Sequence, residues 1–126
     1  MCCFLLLVTI FEYSYSEEHT VYYIPEDQID EQKILFGDPN KFVNPCCVDY
    51  IKVVSSTEYY KEAQDTDKGT AKYWILINKA NKHALHLIKE VYIGNNCGLV
   101  VMCGYLESLT CPIKSKDVTE EILGHE

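Results

Sequence analysis

Five cysteines restrict what this chain can fold into more than any other feature: Cys46 and Cys47, side by side, then Cys97, Cys103 and Cys111. A domain of this size buries a limited core. In an oxidising compartment its crosslinks therefore supply a large share of the stability, about 2–4 kcal/mol for each native disulfide. Neighbouring residues of an extended chain point to opposite faces, so Cys46 and Cys47 are expected to bond to different partners and not to each other. The count is odd. Two bridges account for four of the five, leaving one thiol either free or paired with another chain, and the spacing does not select the pairing.

Two further cysteines, Cys2 and Cys3, lie in an apolar run from Met1 to Phe11 that is too short to cross a bilayer as a helix. Small residues follow at Ser14-Tyr15-Ser16, then the acidic pair Glu17-Glu18. This order predicts a secretory signal peptide over 1–16. The run lacks the preceding Lys or Arg of such a leader, and a buried N-terminal strand is the rival reading. No later segment is apolar enough to span a membrane, so the expected destination is extracellular. Residues 17–45 are polar, acidic and punctuated by Pro25, Pro39 and Pro45, and read as a loosely ordered N-terminal or pro-segment with at most one short helix at 26–35. Residues 46–126 hold the cysteine-containing domain.

The charge balance excludes several functions. The net charge is −8, and all eleven basic side chains are Lys. A chain without Arg lacks the bidentate contacts and basic stripe of a nucleic-acid binder and the Arg clamp of a phosphate site. No glycine-rich phosphate loop is present, so no cofactor is expected. His83 and His86 could assist a cysteine nucleophile at Cys97 or Cys103, or share a metal if they lay on a helix. Crowded secreted cysteines are more often bridged, and no zinc-binding spacing occurs, so neither an enzyme nor a metal site is expected.

Along the chain, residues 48–54 alternate well enough to predict a first strand, and 55–68 a loop or short helix. Tyr73 to Ile77 and Ala84 to Ile93 then read as two strands of a β-hairpin, separated by the polar Asn78-Lys79-Ala80-Asn81-Lys82. Under that reading Leu85, Leu87 and Val91 share one face. A helix competes for the second run, because Ala84, Leu85, Ile88 and Tyr92 also fit a helical stripe. Gly94-Asn95-Asn96 predicts a turn, Leu99 to Met102 a short buried strand, and 118–123 a helix capped by Asp117. The expected fold is mostly β: a small, disulfide-linked β-hairpin domain with short helical or irregular flanks.

Several of these residues are similar to a known family. Lys68-Gly69, Tyr73-Trp74-Ile75-Leu76-Ile77-Asn78, Ala84-Leu85-His86-Leu87-Ile88-Lys89-Glu90 and Asn96-Cys97 resemble the centre of a Spätzle domain, an insect neurotrophin-like cystine-knot ligand. Cys47 matches the opening cysteine, and Cys103 and Cys111 the cysteines behind Cys97. The chain departs from the pattern at Tyr92, which stands where a knot cysteine is expected, and it reaches Glu126 without the closing cysteine-bearing strand. The resemblance implies a diverged, C-terminally incomplete, cystine-knot-like ligand. Such a ligand acts in innate immunity or development by binding a Toll-type receptor, as a homodimer. It also implies a partner or dimer surface at Tyr73, Trp74, Ile75, Leu85 and Leu87. The alternative from composition alone is a secreted effector or inhibitor that binds an extracellular protein through an acidic, disulfide-stapled surface.

Overall fold

The computed structural model describes residues 4–9 and 18–124. Cys2, Cys3 and the cleavage motif at 14–16 lie outside them. Phe4–Thr9 (β1) pairs antiparallel with Glu18–Tyr22 (β2). Strand β2 also holds to the body without β1: Tyr22 N donates to Phe42 O at 2.8 Å, and Phe42 N donates to Tyr22 O at 3.0 Å. Two single turns of 3-10 helix, Glu26–Gln28 and Glu31–Lys33, precede Ile34–Gly37 (β3). The helix expected over 26–35 is therefore broken into two turns, the second capped by Asp30, whose Oδ1 accepts from Gln32 N. Within 17–45, Ile24 and Phe42 are buried.

The body is built on a four-stranded mixed sheet in the order β3-β5-β4-β6, where β4 is Pro45–Val48, β5 Leu99–Met102 and β6 Lys116–Asp117. Strand β5 runs antiparallel to β3 and parallel to β4. Parallel neighbours require a crossover connection, and here it consists of three helices: Tyr50–Ser56 (α1), Glu58–Gln64 (α2) and Ala71–Gly94 (α3). A short C-terminal helix, Thr119–Leu123 (α4), packs on α1 and α3. Asp117 Oδ1 accepts from Thr119 N at 2.9 Å at the start of that helix, but the capping position itself falls on Val118, one residue later than expected.

Sheet alternation divides the core into two layers. Cys46, Val48 and Val100 face the helices and pack with Val53, Ala80, Ala84, Leu87, Ile88, Val91 and Ile122. Cys47, Leu99 and Val101 face the other way, toward Ile24, Phe42, Tyr105, Leu106 and Ile113. Both sheet faces are thus covered, which explains why β4 and β5 read as continuous apolar runs and not as alternating ones.

The mostly β, cystine-knot-like expectation is corrected here. The segment expected to form a hairpin is the 24-residue helix α3. Its buried positions, Leu76, Ala80, Ala84, Leu87, Ile88 and Val91, follow the i, i+4, i+8, i+11 rhythm of a helix. The apparent polar break is polar only outward. Asn78, Lys79 and Lys82 face solvent while Ala80 is buried, and Asn81 Oδ1 accepts from Tyr50 Oη at 2.7 Å. Thr70 starts the helix by accepting from Tyr73 N at 3.3 Å. The strand expected over 48–54 is also replaced. It ends at Val48, where the Asp49 carboxylate accepts from Lys52 N at 3.2 Å and starts α1. The strand at Leu99–Met102 and the turn after Gly94 stand as expected.

Two glycines hold the sheet margin. Gly37 has φ +104°, in the left-handed region open to glycine. At Gly98, just before β5, a Cβ would run into the Val43 carbonyl oxygen. Gly98→Ala is therefore expected to destabilise the protein by about 2 kcal/mol or more. Gly94→Ala, which meets nothing within 4 Å, is expected to change stability by less than about 0.5 kcal/mol. Urea unfolding of the two variants checks the contrast.

Candidate interaction surface

The cysteines act as structural staples. Cys46 bonds Cys97 and Cys47 bonds Cys103, with Cα–Cα separations of 5.8 and 4.7 Å. Cys111 belongs to neither bridge and sits half-buried against the layer around Leu106. With two bridges among the described residues, the three interlocked bridges of a cystine knot are not formed there. Cys47, Cys103 and Asp117 are close enough together to suggest a metal site, but both sulfurs are used in the disulfide.

The histidines are engaged separately. His83 meets the Tyr59 ring edge-on, with centroids 6.0 Å apart. His86 Nε2 lies 3.4 Å from Glu90 Oε1 one helical turn on. An open hollow of about 800 Å³ lies where α2 meets the ends of α1 and α4 and the middle of α3, lined by Ser56, Glu58, Tyr59, Lys61, His83 and Leu123. Its charges, Lys61 and Glu58, form an exposed pair at 3.6 Å. No buried side-chain polar atom among the described residues lacks a hydrogen-bond partner. The hollow therefore has no polar group already desolvated and aimed at a ligand. Burial raises the pKa of Tyr50, whose hydroxyl is spent on Asn81. At Lys52 the hydrogen bond to Glu120 raises the ammonium pKa, in a surface pair at 3.0 Å.

The partner-surface residues expected from sequence separate once α3 is formed. Leu87 is 3% exposed and belongs to the core. Trp74 is 61% exposed, Ile75 54% and Leu85 37%, and Tyr73 is half-buried with its ring edge-on to Trp74 at 5.0 Å. Sequence reasoning missed one member of this surface, Ile93, which is 64% exposed near the helix C-terminus. On a helix, Ile75, Lys82, Leu85, Lys89 and Ile93 share one side at i, i+7, i+10, i+14 and i+18, with Trp74 at the margin. This outward stripe is directed away from the core stripe of the same helix. Counting Ile93 back in helical steps to Lys89 and Leu85 would have found it.

No family model, curated protein or solved structure matches this chain. No helix of the described residues is long and apolar enough to cross a membrane.

The separation of core from surface is testable. Leu87→Ala is expected to cost about 2–5 kcal/mol through the cavity it leaves. Trp74→Ala and Ile75→Ala are expected to stay within about 0.5 kcal/mol of wild type. Denaturant midpoints at constant m-value provide the comparison.

Proposed function

We propose that this chain is an extracellular, disulfide-stapled binding protein that docks a partner protein on the outward stripe of α3. The observation that carries the reading is the exposure of Trp74, Ile75, Leu85 and Ile93 along one rigid helix whose opposite side is committed to the core. Large apolar side chains aligned on a surface element are costly to leave in water and supply anchors for an interface. A tryptophan among them adds the residue type that most often dominates binding energy. The two bridges support an oxidising, extracellular setting.

Binding, not catalysis, is what the arrangement supports. The bridged cysteines cannot serve as nucleophiles, and the histidines hold separate neighbours. The resemblance to Spätzle-type ligands implies a Toll-type receptor as the partner. Its central motif, Tyr73 to Asn78, lies on a helix here, so the reading rests on the helical stripe and not on a ligand hairpin.

A photo-crosslinking residue at position 78, within the stripe, tests the reading in the extracellular fluid of the cells that produce the protein. The expected result is a discrete adduct that unlabelled wild-type protein competes away. Trp74→Ala/Ile75→Ala should abolish it, and the same reporter at exposed position 114 should not give it. Equal labelling from both positions, or an adduct that wild-type protein does not compete, would contradict the assignment.

A further inference from the structure

The distribution of charge narrows the chemistry of the partner. Residues 68–94 hold five of the eleven lysines and a single acid, Glu90, for a net charge of +4; the remaining 99 residues hold six lysines and eighteen acids, for a net −12. An acidic protein thus carries one basic helix: α3 itself holds four of these lysines, and Lys68 stands just before it. Two of these lysines are held toward α2: Lys72 Nζ lies 3.9 Å from Glu62 Oε2, and Lys79 Nζ sits 5.9 Å over the Tyr59 ring. Lys68, Lys82 and Lys89 are exposed and have no carboxylate within 4.0 Å among the described residues. Lys82 and Lys89 lie inside the apolar stripe, on either side of Leu85.

We infer, resting on the docking role proposed for α3, that its partner presents an acidic amphipathic helix. The stripe is narrow and long, about 27 Å from Ile75 to Ile93 at 1.5 Å per residue. From Lys82 to Ile93 it alternates cationic and apolar residues at three- and four-residue steps, with Ile75 two turns before Lys82, and another helix can match that spacing with carboxylates and apolar side chains on one face. The partner supplies leucine-like side chains against Ile75, Leu85 and Ile93 and carboxylates against Lys82 and Lys89. An anionic lipid plane suits the surface less well. It would bring the −12 remainder of the molecule toward like charge, whereas a single helix meets only the stripe.

Trp74 is the one tryptophan of the chain, so its emission reports occupancy of the stripe directly. The probe is a synthetic heptad-repeat peptide with leucine at a and d and glutamate at e and g. Added to the intact, oxidised protein, it is expected to shift Trp74 emission saturably. The affinity should fall about tenfold or more in Lys82→Glu/Lys89→Glu and weaken as salt is raised. Lys114→Glu/Lys116→Glu should bind as wild type does, and thermal melts should show both variants folded. The inference is overturned if a lysine-flanked version of the peptide binds equally well, or if the Lys82/Lys89 variant binds as wild type does. It is also overturned if only phosphatidylserine vesicles shift the emission. A competed cross-link at position 78 that persists undiminished in Lys82→Glu/Lys89→Glu keeps the docking surface and removes its acidic partner. The absence of any competed cross-link removes the docking surface itself.

Discussion

Adjacent residues of one short strand, Cys46 and Cys47, are bonded to the two ends of its parallel neighbour. Cys97 stands just before β5 and Cys103 just after it. Because successive strand residues face opposite ways, one bridge lies in the helix-covered layer and the other in the opposite layer. The pair therefore pins β4 to β5 from both faces and at both ends. The bridges are separated in sequence by 51 and 56 residues. Each closes a loop whose removal from the unfolded ensemble is worth about 4 kcal/mol in the chain-entropy model. The loops overlap, so the two contributions do not add in full. Even one is a large part of the about 5–15 kcal/mol that keeps a small domain folded.

What the bridges enclose is the helical crossover, and its orientation follows from them. With β4 and β5 held in register, Cys46 opposite Val100 and Cys47 opposite Val101, α3 must lay its Leu76–Val91 side over the sheet. Its other side then has no covering element among the described residues. A helix with a core face and an apolar, lysine-bearing outer face presents side chains at fixed spacing from a rigid element, which is what a binding surface needs.

Parts of this architecture were legible in the sequence, and the failures have a physical cause. The strand Leu99–Met102, the turn at 95–96 and the opposed directions of Cys46 and Cys47 followed from local rules that tertiary contacts did not override. Helix α3 was legible only as the rival reading of its second half, from Ala84 to Tyr92; its first half was not, because Tyr73 to Ile77 is rich in strand-favouring side chains, and over five residues a period of 2 cannot be told from a period of 3.6. Burial decided the matter: Ala80 and Ala84 are fully buried on the core side of α3, which packs most closely on α2. The same ambiguity mixed core with surface. A strand places Leu85 and Leu87 on one face; a helix turns them 200° apart, so Leu85 reaches solvent and Leu87 the core. Trp74 and Ile75, expected on a hairpin surface, are exposed on a helix instead. The basic character of 68–94 was hidden by the acidic average of the whole chain.

The pairing of the vicinal cysteines is the claim on which the sheet, the crossover and the outward stripe all depend. Partial reduction and stepwise alkylation of the oxidised protein, followed by fragment sequencing between Cys46 and Cys47 in the mass spectrometer, measures it directly. The expected result is Cys46 joined to Cys97 and Cys47 joined to Cys103. A crossed pairing of Cys46 with Cys103 and Cys47 with Cys97, or a bridge between the two neighbours, would contradict it.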